Sequence, residues 1–329
     1  MRRRDFVTVL TASLGGAALA RTSFAQNAQR TYRIGRLEAS PISEALRLSA
    51  PFLPTLAEQG FVEGRNLVVD TRSAEGQLGR LPALAAELVA LKPDLIVALA
   101  APGTAAVKAL TSDIPIVFAF VNDPVGLHFA ASLNRPGGNL TGLSNFSVAI
   151  SAKRIELLRE AFPNLHRLAI WQNTTAVNDS IELAEYKRAA NLYGMEVLTI
   201  DARNPGEYEA AAAQSDQWKA DGLCITSNPT AFVNRHIIIE LAARLRKPTI
   251  YWNTIFVEDG GLISYAVNFQ DLARQAAIYA AKILRGAAPA ELPIEQPTKF
   301  ELAINQRTAK ALGIVFPESI LLRADKAIE

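Results

Sequence analysis

The chain reads Asp94-Leu-Ile-Val-Ala-Leu-Ala100 and, after a short predicted helix that ends near residue 110, Ile114-Pro-Ile-Val-Phe-Ala-Phe120. Apolar runs of this length without alternation are typical of strands covered on both faces, as in a parallel sheet between two layers of helices. The first run leads into the turn Ala101-Pro-Gly-Thr104, and the second leads into Asn122-Asp-Pro-Val-Gly126. Because ligands of such sheets bind beyond the carboxyl ends of the strands, these two turns predict a binding edge.

The same alternation of strands and helices extends in both directions and begins again after residue 145. Strands are predicted at 32–37, 67–71 and 141–144 before this break, and at 167–171, 196–200, 222–226, 248–252, 261–266 and 299–304 after it. Helices are predicted at 43–59, 79–91, 151–162, 178–193, 205–219, 229–245, 268–285 and 305–312. Pro51 and Pro54 should kink or split the first helix. The pattern predicts an α/β fold of two doubly wound parallel-sheet lobes joined by a hinge.

The first 25 residues have the pattern of an export signal. Arg2-Arg-Arg4 is followed by a small and apolar stretch from residue 7 to residue 20, and Ser23-Phe-Ala25 provides small residues before a cut. The apolar stretch is too short for a membrane span, which needs about 20 residues. Paired arginines before Phe6 are typical of a twin-arginine signal, so we predict a periplasmic protein. No later stretch is apolar enough to predict a membrane span.

Charge and cysteine content argue against several classes of protein. The formal net charge is +2 for the whole chain, but it is −1 without the first 25 residues, from 30 basic and 31 acidic residues. The sequence has no long basic run of the kind that binds nucleic acid. Cys224 is its one cysteine, so no intrachain disulfide can form, and no group of residues has the spacing of metal ligands. We predict no cofactor, no metal, and a core position for Cys224.

Sequence motifs of catalysis are missing. The sequence has no Gly-x-Ser-x-Gly elbow, no phosphate loop, and no Gly-x-Gly-x-x-Gly after the first strand. The three histidines, His128, His166 and His236, are predicted to be exposed or packed on helices rather than catalytic. We therefore predict that the chain is not an enzyme. An exported hydrolase on the same scaffold stays as an alternative, and it would need one of these histidines in the cleft.

Polar and aromatic residues follow the predicted strands in both halves of the chain. We predict a ligand-binding site from them, and its members are Ser40, Gly103, Thr104, Asn122, Asp123, Ser144, Asn173, Ser227, Asn228, Tyr251, Trp252 and Tyr265. Several also have a structural interpretation: Asn228 as a helix cap, Asn173 as a turn residue, Thr104 in a first helical turn, and the aromatic residues as core. Because both halves place such groups at one edge, a cleft between two lobes is favoured.

Three kinds of contact are predicted for this cleft. The N–H groups near Gly103 and Thr104, at a helix N-terminus, suit a carboxylate. Asp123 is the candidate partner of an ammonium group. The aromatic members of the set are candidates to stack on a flat or cationic ligand.

Four stretches together resemble one family of proteins. They are Gly60-Phe-Val-Glu-Gly-Arg-Asn66, Ile114-Pro-Ile-Val-Phe118 with Asn122-Asp-Pro-Val125, Arg135-Pro-Gly-Gly-Asn-Leu-Thr-Gly142, and Gln296-Pro-Thr-Lys-Phe-Glu-Leu302 followed by Asn305. Over essentially the whole chain after the signal, the sequence resembles the tryptophan/tyrosine-type substrate-binding proteins of ABC transporters. The resemblance implies the type I periplasmic binding protein fold, a small molecule clamped between two lobes, and delivery to an ABC permease in the inner membrane. Family members with known ligands bind aromatic amino acids.

By the same resemblance, the chain crosses between the lobes three times. The N-terminal lobe would comprise residues 31–145 and 268–288, and the C-terminal lobe residues 146–267 and 289–329. This sequence departs from the family in two places. Members often carry Thr-Asp-Pro where this chain has Asn122-Asp-Pro124, and Glu38 adds a negative charge at the end of the first strand. If Glu38 faces the cleft, a cationic or amide-bearing ligand is favoured.

We therefore predict the exported solute-binding component of an ABC transporter. Its ligand would be a small polar molecule, an amino acid or a close analogue, with aromatic amino acids included. Asn173, Asn228 and an aromatic residue of the second lobe would close over the ligand side chain. A ligand-sensing subunit for a membrane receptor shares every cleft residue with this function and stays as an alternative.

Overall fold

The first sheet has five strands: β1 (Tyr32–Glu38), β2 (Leu67–Ser73), β3 (Leu95–Leu99), β4 (Ile116–Val121) and β5 (Leu140–Ser144). All of them are parallel, and their order is β2-β1-β3-β4-β5. In this computed structural model, residues 30–145, 147–176 and 179–329 are described, with the backbone alone at 147–149. The predicted export signal lies outside the described residues.

The helices of the first lobe are α1 (Ile42–Leu48), α2 (Phe52–Glu58), α3 (Leu81–Ala90) and α4 (Ala100–Lys108). The helix predicted at 43–59 is split between α1 and α2, as its prolines indicated, and Pro51 precedes the first residue of α2. The predicted turn at 101–104 is wrong because α4 already begins at Ala100. Pro102 is tolerated there because the N–H groups of a first helical turn have no partner inside the helix.

The second sheet has seven strands within the described residues: β6 (Arg167–Gln172), β7 (Glu196–Asp201), β8 (Gly222–Ile225), β9 (Thr249–Tyr251), β10 (Ile263–Val267), β11 (Phe300–Asn305) and β12 (Lys326–Ile328). Their order is β12-β11-β10-β9-β8-β6-β7, and β11 is antiparallel to β10. The parallel part, β7-β6-β8-β9-β10, repeats the order of the first sheet. The prediction of two similar doubly wound lobes is thereby confirmed.

The remaining helices are α5 (Ser147–Ala161), α6 (Asp179–Leu192), α7 (Pro205–Gln217), α8 (Pro229–Val233), α9 (Arg235–Leu245), α10 (Thr254–Glu258), α11 (Phe269–Leu284), α12 (Gln306–Leu312) and α13 (Glu318–Arg323). Ser151 lies inside α5 rather than at its cap, and the helix predicted at 229–245 divides at Asn234 into α8 and α9. The sequence did not predict α10, α13 or β12, because segments of three to six residues carry too little periodicity. No helix in the described ranges is long and apolar enough to cross a bilayer.

The third crossing between the lobes lies later in the chain than predicted. Helix α11 returns to the first lobe, where it packs against α2 and β4. The chain then stays beside β5: Thr141 Oγ1 donates to the carbonyl of Leu292 at 2.7 Å, and the N–H of Ile294 donates to the carbonyl of Leu133 at 2.7 Å. Glu295 also bridges to Leu143. Residues 289–295 therefore contact the first lobe, whereas the prediction placed them in the second.

Cys224 lies in β8 and is fully buried, which confirms its predicted place in the core. Burial raises the pKa of its thiol to about 12, so the thiol stays protonated at neutral pH.

Candidate ligand-binding site

A cavity lies between the two sheets, at the carboxyl ends of their strands. The first lobe contributes the residues after β1, the ends of β3 and β4, and the first turn of α4. The second lobe contributes the loop after β8, the first turn of α8 and the residue after β9. Asn145, at the first crossing, and Phe269, at the start of α11, also line it. We call this space the interlobe cavity. It lies where the strand order of each sheet reverses, the usual ligand position in doubly wound folds.

Two residues of the cavity wall have a left-handed backbone, which residues other than glycine rarely adopt. Ala100 has a φ of 62° and Phe120 has a φ of 64°. Near Phe120, β4 carries one residue more than β5, because Phe118 pairs with Gly142 whereas Val121 pairs with Ser144. Bulges and strained backbones of this kind cluster at ligand sites, where the surrounding fold imposes them.

Glu38 is the one charged side chain among the described residues that line the interlobe cavity. It is 2% exposed, and its Oε1 accepts a hydrogen bond from Arg36 Nε at 2.5 Å. Arg36 is held in turn by the hydroxyl of Ser49 and by the ring of Phe52, whose centroid lies 5.5 Å from the guanidinium carbon. Burial raises the pKa of Glu38 to about 7, although the adjacent guanidinium of Arg36 acts in the opposite direction.

Three buried polar atoms in the cavity wall have no hydrogen-bond partner among the described residues. They are Oδ1 of Asn122, Oδ1 of Asn145 and Nε1 of Trp252. A buried polar atom without a partner costs about 1–3 kcal/mol, so proteins keep few of them without a reason. Two of these atoms are acceptors and one is a donor. A ligand that carries both an ammonium group and an oxygen acceptor would satisfy all three.

Aromatic rings from both lobes form the apolar part of the wall. Trp252 packs against Phe232 with ring centroids 6.0 Å apart and against Phe269 at 5.9 Å. Phe269 lies 4.9 Å from Phe120 of the first lobe. This continuous surface suits an apolar or aromatic group of a ligand.

The structure brings five of the twelve predicted site residues to the interlobe cavity: Ser40, Asn122, Ser227, Asn228 and Trp252. Asn228 is also the cap of α8, since its Oδ1 accepts the N–H of Ala231 at 2.7 Å. Ser144 lies behind the wall, where its hydroxyl donates to the carbonyl of Asn122 at 3.0 Å.

The other predicted first-lobe residues do not line the cavity. Thr104 Oγ1 donates to the carbonyl of Ala100 at 3.0 Å within α4, and Gly103 is beside it. Because α4 starts at Ala100, its first turn contributes Ala100, Ala101 and Pro102 to the wall instead. Asp123 faces its own loop, where its Oδ1 accepts the N–H of Gly126 at 2.8 Å.

Three predicted residues of the second lobe have structural contacts away from the cavity. Asn173 is a turn residue that accepts from Thr175 and donates to Thr230 Oγ1 at 3.2 Å. The rings of Tyr251 and Phe256 are stacked, with centroids 4.8 Å apart. Tyr265 packs against Phe300 at 5.9 Å.

Several wall residues were missing from the predicted set. They are Glu38, Phe120, Asn145, Phe232 and Phe269. For Glu38 the sequence did contain a signal, a charge at a strand end. Asn145 adjoins Ser144, and Phe232 lies one helical turn from Asn228. Nothing in the local pattern indicates that these two residues, Phe120 or Phe269 face the cavity.

All three histidines are described, and none of them lines the interlobe cavity. His166 is exposed, the backbone carbonyl of His128 accepts from Lys108, and His236 is exposed 3.8 Å from Asp259. The hydrolase alternative required a histidine in the cleft beside a carboxylate or a serine. The described cavity does not provide it.

Ion pairs join the two lobes beside the cavity. On the first lobe, Arg47 of α1 contacts Glu258 at 2.5 Å and Asp259 at 3.2 Å. On the second lobe, Arg235 contacts Asp259 and Glu44 of α1, both at 2.6 Å. Although burial acts to raise both pKa values, Lys326 and Arg47 hold the pKa of Glu258 below its usual range, and Arg235 and Arg47 do the same for Asp259. We call Glu44, Arg47, Arg235, Glu258 and Asp259 the interlobe ion network.

The fold and this cavity define a two-lobed binding protein of the type I periplasmic class. The family model for ABC transporter substrate-binding proteins matches residues 47–328. The chain therefore belongs to the family of ABC transporter substrate-binding proteins, whose members bind a small molecule and work with a transporter permease.

Three similar proteins are informative about ligands and conformation. A tyrosine-binding protein of Clostridioides difficile (strain R20291) is 28% identical over 263 residues, which cover 80% of this chain and 75% of that protein. A Streptococcus pneumoniae structure in complex with L-Trp is 26% identical, with a TM-score of 0.84 over 91% of this chain and 100% of that one. A ligand-free, open substrate-binding protein with adhesive properties from Clostridium difficile is 25% identical, with a TM-score of 0.68 over 91% and 99%.

The two structural matches cover the same share of this chain at nearly the same identity. By TM-score, the structure of this chain is more similar to the tryptophan-bound relative than to the open, ligand-free one.

Proposed function

We propose that this protein captures an α-amino acid with an aromatic side chain in the interlobe cavity and delivers it to the permease of an ABC transporter. The observation that carries the proposal is the set of three unpartnered polar atoms in a cavity with aromatic walls. The tryptophan-bound and tyrosine-binding relatives support the same ligand class.

Each end of such a ligand has a counterpart in the cavity. The ligand ammonium group would donate to Oδ1 of Asn122 and Oδ1 of Asn145. The ligand carboxylate would lie at the first turn of α4, beside Ala100 and Ala101, where N–H groups and the helix dipole favour an anion. Trp252 Nε1 is a further donor for it. The predicted ammonium role of Asp123 is given up in this proposal, because its carboxylate faces its own loop.

Export and location form part of the proposal. The basic and apolar pattern of the first 25 residues supports export by a twin-arginine signal to the periplasm. Ligand binding would favour the closed arrangement because the ligand contacts both lobes at once, and the permease would recognise that arrangement.

Calorimetry on the mature protein, freed of bound ligand by unfolding and refolding, tests the ligand class. We expect L-Trp, L-Tyr or L-Phe to bind at least tenfold more tightly than L-Leu or a sugar. Trp252→Phe keeps an aromatic ring but removes Nε1, so the affinity for the best of these ligands should fall by about tenfold, the value of one buried hydrogen bond.

Tyr265→Phe is the matched control because Tyr265 lies outside the cavity wall, and it should bind with unchanged affinity. Asp123→Ala should likewise leave the affinity unchanged. If no aromatic amino acid binds, the proposed ligand class is wrong. If Trp252→Phe and Tyr265→Phe behave alike, the proposed contact of Trp252 Nε1 is wrong.

The interlobe ion network should add to affinity because it exists only while the lobes are together. We expect Glu44→Ala combined with Arg47→Ala to raise the Kd for L-Trp by roughly tenfold at low salt, from ion pairs worth about 0.2–1 kcal/mol each. The difference from wild type should shrink at 0.5 M NaCl. Calorimetry at two salt concentrations measures both effects.

Arg72→Ala is the control for this experiment, because Arg72 pairs with Glu87 entirely within the first lobe. It removes a surface ion pair of similar length without affecting closure. An affinity of the double variant equal to that of Arg72→Ala at both salt concentrations would contradict the role of the network.

A further inference from the structure

We propose that Glu38 determines the charge class of the ligand: its carboxylate is the counter-ion of the ligand's ammonium group, so the cavity selects α-amino compounds over their deaminated analogues. This inference rests on the proposed function and deepens it. Glu38 ends β1, at the point where the strand order of the first sheet reverses.

The geometry leaves one oxygen of Glu38 for a ligand. Among the described residues, Arg36 is the one side chain that hydrogen bonds to this carboxylate, and it contacts Oε1. Arg36 itself does not line the interlobe cavity; it faces Ser49 and Phe52 on the other side. A ligand in the cavity therefore meets the carboxylate and not the guanidinium.

The groups around Glu38 match an ammonium group in the number of hydrogen-bond acceptors as well as in charge. An ammonium group has three N–H donors. Glu38 shares the cavity wall with the unpartnered acceptors of Asn122 and Asn145, which makes three acceptors in all. A carboxylate or phosphate in this position would face acceptors and a negative charge, and it would be rejected.

The arrangement makes binding depend on pH in a definite direction. Burial raises the pKa of Glu38 to about 7, with Arg36 opposing, so below pH 7 the empty site holds a protonated carboxyl. An ammonium ligand needs the ionised form, so binding must then release a proton. Affinity for the ligand should be full at pH 8 and fall as pH decreases, by roughly 30-fold at pH 5.5.

The other charged groups on the elements around β1 and the cavity are engaged elsewhere. Those in ion pairs include Arg33 with Asp70, Glu44 with Arg235, Arg47 with Glu258 and Asp259, Arg72 with Glu87, Asp271 with Arg274, and Glu182 with Arg154. Those in other hydrogen bonds include Asp179 with Thr226, Lys108 with the carbonyl of His128, Glu75 with the N–H of Ile42, and Asp94 with the N–H of Arg33. Arg36 is the one charged group among the described residues that acts on the pKa of Glu38.

The test compares L-Trp with indole-3-propionate, and L-Tyr with 3-(4-hydroxyphenyl)propionate, by calorimetry at pH 5.5, 7 and 8. Wild type should bind the amino acid about 100-fold more tightly than its deaminated analogue at pH 8. Glu38→Gln keeps an acceptor for Arg36 and removes the charge. Its affinity for the amino acid should fall by roughly 100-fold, its affinity for the analogue should not fall, and its pH profile should be flat.

Glu87→Gln is the matched control, because Glu87 is an exposed acid on the surface of the first lobe, and its binding should equal that of wild type. If wild type binds amino acid and analogue equally, or if its affinity does not change between pH 5.5 and 8, the role of Glu38 is overturned while the proposed function stands. These two measurements use the wild-type protein alone, so they test the role of Glu38 even if Glu38→Gln fails to fold. If no aromatic amino acid binds at any pH, both proposals fall.

Discussion

We expect Gly142→Ala to lower the melting temperature by roughly 5–10 °C, which corresponds to a loss of about 3 kcal/mol in the free energy of unfolding. A Cβ atom at residue 142 would lie 2.0 Å from the carbonyl oxygen of Phe118 and 2.8 Å from its nitrogen. Both are backbone atoms of the paired strand β4, so they cannot move without breaking the sheet. Differential scanning fluorimetry of the ligand-free protein measures the change.

Gly79→Ala is the matched control, because a Cβ atom there meets no other atom within 4 Å. It should shift the melting temperature by less than about 2 °C. If Gly142→Ala melts at the same temperature as Gly79→Ala, the close approach of the two strands does not constrain residue 142.

The contact at Gly142 also bears on the cavity. Gly142 pairs with Phe118, the last residue of β4 in regular register before the bulge. Phe120 and Asn122 come after Phe118 in the chain, and both line the cavity wall. Ser144 then holds the carbonyl of Asn122. A folded Gly142→Ala protein should therefore bind its ligand more weakly, because its bulge would be displaced.

The bulge illustrates what the sequence could not predict. The apolar run before Phe120 predicted the strand, and the polar residues after it predicted the binding edge. Which of Asn122 and Asp123 faces the interlobe cavity depends on one extra residue in β4, and that residue is placed by pairing with β5, about 20 residues later in the chain. Local patterns carry no information on such a register shift.

The same limit applies to α4 and to Glu38. The sequence predicted a helix N-terminus beyond β3, but the left-handed backbone at Ala100 starts that helix four residues before Thr104. Arg36 and Glu38 are two residues apart in one strand, so their side chains share a face of the sheet. The sequence does not reveal that one of them lies behind the wall and the other lies in it.

We expect Arg154→Met to destabilise the protein by about 3–5 kcal/mol, with a fall in melting temperature of roughly 10 °C. Arg154 is 1% exposed, and it contacts Glu182, itself fully buried, at 3.1 Å. It also donates to Tyr186 Oη and to the carbonyl of Tyr265, both at 2.8 Å. Methionine fills a similar volume, but it leaves the charge of Glu182 in the core without its guanidinium.

A double-mutant cycle separates the lost charge pair from lost packing. Glu182→Gln removes the charge but keeps an acceptor for the N–H of Ser227, which Glu182 Oε2 binds at 2.8 Å. We expect the double variant to be about 1–3 kcal/mol more stable than the sum of the single effects, because it does not bury a carboxylate that has lost its guanidinium. Additive effects would mean that packing alone accounts for the loss.

The cycle also has a ligand readout, because Ser227 lines the interlobe cavity. In Arg154→Met, Glu182 loses the guanidinium that holds its carboxylate, so its hydrogen bond to the Ser227 N–H should weaken and the affinity for L-Trp should fall. The double variant keeps a neutral acceptor behind Ser227 and should regain most of that affinity, whereas a purely structural role of Arg154 would leave binding unchanged in every folded variant. If the affinities change as expected, the buried Arg154–Glu182 pair acts on the cavity through the N–H of Ser227.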